Sequence, residues 1–226
     1  MKQKSYTKQF STLFFVSVLL VLINISFGSV SIPFHEILDI LLGGNSSKSS
    51  WDVIILHFRL PKAITAILVG SGLAIAGLLM QTLFRNPLAG PFVLGISSGA
   101  SLGVALLILG SGIFGGFLAT IAFSSWGLAI ASSIGAALVL LAVLVTATKV
   151  RNTMSILIIG LMFGTVTSAI ISVLTFFSDA EKIQQFIFWG FGNLGNLSWT
   201  EILVFFIIYL IACLLYTSDA ADEEDS

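Results

Sequence analysis

Arg59 and Lys62 stand three residues apart and flank Pro61 in the run Trp51–Lys62. Two cations beside a proline can snorkel to a membrane interface. They can also meet an acidic group on an external protein, and an exposed pair of this kind steers association more than it adds affinity. A second group is His35, Glu36, Asp39, Asp52 and His57. These residue types ligate metals, but their spacing matches no ligand pattern, so no metal site is assigned. Glu36 and Asp39 instead fit a short amphipathic helix over Phe34–Leu42. A third group is the stripe Gly160, Gly164, Thr165, Ser168 and Ser172. Its small residues suit close helix packing, and the Ser168–Ser172 end could face a polar pathway. The fourth is Gln81-Thr82-Leu83-Phe84-Arg85-Asn86-Pro87-Leu88-Ala89-Gly90-Pro91, followed by Leu94-Gly95. Pro87 drives Asn86 out of the helical region, Asn86 can close a turn through its side chain, and Arg85 anchors a helix end. Nothing in these groups is catalytic. There is no G-x-x-x-x-G-K-[ST] phosphate loop and no Ser-His-Asp nucleophile motif. No basic stripe suits nucleic acid. The single cysteine, Cys213, excludes a disulfide framework and a cysteine-built zinc site.

The elements that must carry these residues follow from composition. Of 226 residues, 57% are hydrophobic and 9% charged, against roughly a quarter charged in soluble domains. A soluble globule and a disordered chain are both excluded. A membrane-crossing helix needs about 20 apolar residues. Five stretches qualify: Phe10–Phe27, Ala63–Phe84, Phe92–Leu109, Trp126–Thr148 and Thr153–Phe177. A sixth begins at Glu201 and is cut short, and Ile113–Phe123 is too short to cross alone. All four prolines lie outside the span interiors, and Pro61 and Pro91 precede spans, where proline suits a helix start. The first span follows Lys2, Lys4 and Lys8 like a signal peptide, but its apolar core is long and no cleavage site follows, so it reads as a retained helix. The positive-inside rule puts the N-terminus in the cytoplasm, with Lys2, Lys4, Lys8, Arg85, Lys149 and Arg151 inside. Lys48, Arg59, Lys62 and Lys182 are then outside. Small residues at four-residue spacing (Ala66, Gly70, Ala74; Gly95, Gly99, Gly103; Gly160, Gly164, Ser168, Ser172) predict a compact bundle. No ionisable residue lies within the first five spans. Ion-coupled carriers place such groups at membrane depth, so the energy source is expected elsewhere. No proline interrupts a span, so no discontinuous helix is expected.

Five of the eleven acidic residues lie between Asp219 and Asp225. Without the segment from Cys213 onward, ten basic residues face six acidic ones, a net of +4. Cys213–Glu223 reads as a translated sequencing adapter. The expectation is a native portion, residues 1–212, cut inside its last span, and a non-native tail, residues 213–226. Different codons in the nucleotide record would restore the tail as native.

Taken together, Arg59–Lys62, then Gly70, Leu73, Ala74, Gly77 and Gln81, then Arg85–Ala89, Pro91, Leu94, Gly95, Gly99 and Ala100 resemble the permease subunits of ABC importers for iron-siderophore, haem and vitamin B12 (the FecCD type). Phe188-Trp189-Gly190-Phe191-Gly192 followed by Trp199 is similar to that family's external connection between its fifth and sixth helices. The resemblance covers roughly Phe10 to Ala212. It implies an all-α, polytopic transmembrane bundle, with about six of an expected ten spans present, of the type II importer kind. It implies a bacterial cytoplasmic-membrane protein that is not an enzyme and holds no cofactor, ATP being bound by two cytoplasmic ATPase subunits. The other implied partners are a second permease, identical or homologous, an extracytoplasmic binding lipoprotein and membrane lipid. The family's external basic positions fall on Arg59 and Lys62, where Lys keeps the charge but loses the bidentate fork. Its pathway helix falls on Gly160, Gly164, Thr165, Ser168 and Ser172. The expected cargo is chelated iron or haem, with cobalamin as an alternative. A secondary transporter or channel and a non-transporting membrane scaffold are the other readings of the chain. Neighbouring genes for an ATPase and a binding lipoprotein would favour the importer.

Overall fold

A backbone surrounded by hydrocarbon must satisfy its own polar groups, which a helix does within one segment. The computed structural model describes residues 6–44, 46–111, 124–150, 153–195 and 197–224, and every regular element among them is helical. In chain order these are α1 (Thr7–Ser26), α2 (Phe34–Leu41), α3 (Ser49–Ile54), a π-helical turn (Ile55–Arg59), α4 (Leu60–Phe84), a 3₁₀ turn (Pro91–Leu94), α5 (Ile96–Ile108), α6 (Ser125–Ala147), α7 (Thr153–Phe176), α8 (Ala180–Gly190) and α9 (Trp199–Glu224). Among the described residues, five runs are long and apolar enough to cross a membrane: α1, the continuous Ser49–Phe84 run, α6, most of α7, and Trp199–Tyr216 of α9. The stretch Ile113–Phe123, with Lys2, Lys4 and Arg151 of the orientation argument, lies outside the described residues.

Two expectations are corrected here. The third span, Phe92–Leu109, is not one continuous helix. Pro91 opens a single 3₁₀ turn, Gly95 adopts φ 75°, and α5 starts only at Ile96. A left-handed residue ends a right-handed helix, and glycine enters that region without a Cβ penalty. A helix can thus be interrupted without proline. At 13 residues α5 is about 20 Å long, short of the roughly 30 Å hydrocarbon core. It is instead buried among its neighbours, with Val104 and Ala105 fully enclosed.

The chain divides into two compact units. The first comprises residues 1–72 and 193–226. Its core joins Ile25 of α1, Ile32, Ile37 and Ile40 around α2, Ile55 of the π-helical turn and Ala63 of α4. The chain enters α9 through a capping box. Ser198 N–H and Oγ–H donate to Glu201 Oε2 at 2.7 and 2.9 Å, and Glu201 N–H returns to Ser198 Oγ at 3.4 Å.

The second unit, residues 73–192, is built on α5. One apolar cluster gathers Met80, Phe84, Ala89, Leu94, Val139, Val143 and Leu157. Another holds Val104, Ala105, Leu107, Ile108 and Leu109, covered by Ile183, Phe186 and Trp189 of α8 among others. Backbone meets backbone where α5 crosses α6. A Cβ on Gly99 would come within 2.6 Å of the Gly135 carbonyl. Such approach is what small residues permit where lipid supplies no hydrophobic drive. The expected stripe on α5 is therefore in use, and its partners are Gly135 and Ala131 of α6. The stripe on α4 differs. Among the described residues, a Cβ on Gly70 or Gly77 would meet no atom within 4 Å.

Candidate functional site

Three places hold the residues singled out above. The first is the turn after α4. Arg85 N–H donates to the Thr82 carbonyl at 3.2 Å and Asn86 N–H to the Gln81 carbonyl at 3.1 Å. Together these bonds form a Schellman stop, with Arg85 at φ 47° in the position that usually belongs to glycine. Asn86 Oδ1 then accepts the Leu88 N–H at 2.9 Å, and its carbonyl accepts the Ala89 N–H at 3.1 Å. The expected side-chain closure by Asn86 is present. Arg85, Pro87 and Leu88 point outward, Leu88 being 84% exposed, whereas Ala89 and Gly90 are buried. Pro91 closes the turn as the first residue of the 3₁₀ segment.

The second place is a groove of about 350 Å³ between α5 and α7. Phe92, Gly95, Ser98, Gly160, Leu161, Gly164, Thr165 and Ser168 line it. Its floor exists because Gly95 and Gly160 have no side chains. A Cβ on Gly95 would lie 2.8 Å from the Gly160 carbonyl, and one on Gly160 would lie 2.6 Å from the Val93 carbonyl. Four of the five stripe residues meet here, while Ser172 lies one turn further along α7 on an exposed position. Gly160 is used by packing as much as by the groove. Thr165 Oγ1–H donates to the Met162 carbonyl at 2.7 Å and Ser168 Oγ–H to the Gly164 carbonyl at 2.9 Å. Phe92, Ser98 and Leu161 were not anticipated. Ser98 follows Gly95 by three residues and so shares its helix face, which is the signal that could have found it.

The third place is the junction before α4. In an α-helix the N–H of residue 61 would close on the His57 carbonyl, but Pro61 has no N–H and its ring crowds that carbonyl. The chain opens into the π-helical turn, with Leu60 N–H on the Ile55 carbonyl. The Leu56 carbonyl is thereby left without a helical donor, and the indole N–H of Trp199 donates to it at 3.1 Å. Arg59 and Lys62 part company here. Lys62 is exposed, as expected. Arg59 is not: it is 8% exposed, with Nη1 donating to the carbonyls of Ile25 (2.9 Å) and Ser26 (3.0 Å) and Nη2 to that of Val30. The expectation of two exposed cations is corrected for Arg59, whose donors are engaged within the chain.

Beside this junction lies α2. Its Glu36 is buried and accepts the Ser47 hydroxyl, and also the Ser47 N–H at 3.0 Å. These two bonds hold the Glu36 carboxyl below its ordinary pKa, the hydroxyl being the larger cause. The amphipathic helix is present, but Glu36 sits on its inner side. Among the described residues no three of His, Cys, Asp and Glu come together as metal ligands would.

A multi-pass helical bundle with a neutral, glycine-floored groove is the class of a membrane permease. The chain belongs to the FecCD transport family, which matches residues 16–221 and so extends into the Cys213–Ser226 segment. It is similar to the probable iron chelatin transport system permease of Helicobacter pylori, 36% identical over 84% of this chain and 56% of that protein. It is 33% identical to the hemin transport system permease of Yersinia pestis over 88% and 57%. It is also 30% identical to the molybdate import system permease of Haemophilus influenzae over 96% and 63%. The chain thus spans somewhat over half the length of these relatives. A solved inward-facing structure of a transporter assigned to the metal-chelate ABC type superposes with a TM-score of 0.74 at 28% identity, over 94% of this chain and 62% of that one.

Proposed function

We propose that this chain is part of a permease subunit that carries a chelated metal across a bacterial cytoplasmic membrane, powered by partner ATPases and supplied by an extracytoplasmic binding protein. Family membership and the metal-chelate structural neighbour support the class. The observation that carries the cargo reading is the groove wall. Its eight lining residues include no charged side chain, so a bulky, charge-masked chelate can pass without desolvating a fixed ion. One relative imports molybdate, and a bare oxyanion is the second reading. A wall without a cationic side chain gives it no full counter-charge. Gly160, Gly164, Thr165, Ser168 and Ser172 then line the path. The Gln81–Pro91 turn, through Arg85, Asn86, Pro87, Leu88 and Ala89, sets the cytoplasmic edge, and Gly95 begins the next helix. A second permease completes the pathway, and Lys62 receives an acidic group of the binding protein.

The test is uptake by the full-length permease reconstituted with its ATPase subunits, using ferric hydroxamate, ferric catecholate, haem, cobalamin and molybdate in turn. A ferric chelate or haem should enter in an ATP-dependent, protonophore-insensitive manner. Ser168→Phe should lower that uptake at least tenfold while ATP hydrolysis persists. Uptake that survives a hydrolysis-dead ATPase, or molybdate as the sole cargo, overturns the reading.

A further inference from the structure

The short helix α2 stands between two membrane-crossing runs, α1 and Ser49–Phe84. Its residues fall into three sectors around the helix axis. Ile37 and Ile40 are buried and cluster with Ile25 at the end of α1, so α2 is fastened to the end of a membrane-crossing helix. Glu36 lies on the same inner side, and its carboxylate is satisfied by the Ser47 hydroxyl and N–H. The outer side divides again. Phe34, Leu38 and Leu42 follow at four-residue spacing, Leu42 being the C-cap, and all three are exposed. At 100° per residue they form a strip about 80° wide. Beyond one edge of that strip come His35 and Asp39, also exposed. The helix thus presents one sector to the protein, one bare apolar strip and one polar strip.

An exposed apolar strip marks an interaction surface. A helix lying along the boundary between hydrocarbon and water uses both outer strips at once. Two further observations favour lipid as the occupant. Exposed apolar side chains run on from the span into the connection: α1 shows Leu20 and Ile23 outward, and Phe27, just past its last residue, is 77% exposed. Trp51 packs half-buried against the same cluster, with Lys48 Nζ 5.0 Å over its ring, and tryptophan and long cationic side chains gather at membrane–water interfaces. A protein partner fits less well, because the strip offers no hydrogen-bonding side chain and protein interfaces carry about one hydrogen bond per 100–200 Å².

We propose that α2 is an interfacial helix whose Phe34, Leu38 and Leu42 insert into the acyl–headgroup boundary beside the end of α1, while His35 and Asp39 face water. The inference rests on the membrane-crossing class alone, and on neither the cargo nor the partners of the importer reading.

Nitroxide labels test it on the full-length permease in phosphatidylethanolamine–phosphatidylglycerol nanodiscs, each on a single cysteine in a background freed of other cysteines. The positions are His35→Cys, Leu38→Cys, Asp39→Cys and Leu42→Cys, with Leu20→Cys of α1 as the lipid-facing reference. Power saturation reads collision with O2, which concentrates in lipid, against collision with a water-soluble nickel chelate. The O2-to-nickel ratio at 38 and 42 should approach that at 20 and exceed that at 35 and 39 at least fivefold. A smaller difference puts the strip in water and overturns the proposal. Labels at 38 and 42 shielded from both reagents show a protein on the strip, a second permease included, and overturn it as well. Leu42 is 84% exposed and has little packing to lose, so its label decides if Leu38→Cys fails to fold. A permease that imports nothing gives the same ratios, so this proposal and the importer reading fail separately.

Discussion

Arg85 occupies a left-handed conformation that costs a side-chain-bearing residue roughly 1–2 kcal/mol. Arg85→Gly should therefore stabilise the isolated permease by about 1 kcal/mol, less whatever entropy glycine adds to the unfolded chain. Thermal unfolding in detergent measures this, and a loss of stability would show that the guanidinium makes a contact worth more than the strain. Glu36 gives a pH signature. Its folded-state pKa is lowered by the Ser47 bonds, so its contribution is complete above the ordinary carboxylate range. That contribution disappears as pH falls through the lower folded value. Exchange of the amides around Ser47 should rise on acidification in the native protein. Glu36→Gln should show the raised exchange already at pH 7, with no further change in acid. At this scale the sequence was legible where the chemistry is local. Asn86 closes its own turn, and the proline beside it says so. Arg59 was not legible, because its partners lie some thirty residues earlier in the chain and a charge beside a proline reads as exposed. Only the π-helical turn, an indirect product of Pro61, aims it inward.

At the scale of elements, close packing is concentrated where α5 meets α6 and α7. Gly99→Ala must push a Cβ against the Gly135 carbonyl and Val139. It should cost about 1–3 kcal/mol as overpacking does. Gly70→Ala meets no atom within 4 Å in this chain and should be neutral or slightly stabilising, since alanine favours a helix over glycine by about 1 kcal/mol. Melting curves of the two variants in one detergent separate them. A costly Gly70→Ala would mean that the α4 face is covered by another helix. The lengths and boundaries of the long helices follow from apolar runs of about 20 residues, which is why α1, α6 and α7 were legible. The break at Gly95 was not. Composition shows a glycine, but only the folded chain shows that it ends the 3₁₀ turn at a positive φ and that the approach of the Gly160 backbone excludes a Cβ there.

On the scale of the molecule, apolar side chains face outward along α1, α6, α7 and α9. Phe14, Leu138, Leu161 and Ile208 are among the exposed ones. In water such surface would drive aggregation; in lipid it is the solvated state. The Ser49–Phe84 run is 36 residues long, about 54 Å, well beyond a hydrocarbon core of roughly 30 Å. It is therefore longer than one crossing needs; the Arg85 turn follows its C-terminal end, and Lys62 lies within it, 23 residues before Arg85 and about 34 Å away. The family was readable from motifs spread along the chain. The groove's second wall was not, because Phe92 and Ser98 come to α7 only through the Gly95 break.

The hydroxyl hydrogens of Thr165 and Ser168 already belong to carbonyls of their own helix. What these two side chains offer a passenger is lone pairs and methyl or methylene surface. Such a wall accepts hydrogen bonds but donates none from these two hydroxyls. On the proposed transport reading, a cargo would pass this stretch of α7 quickly and would have to be chosen before it arrived.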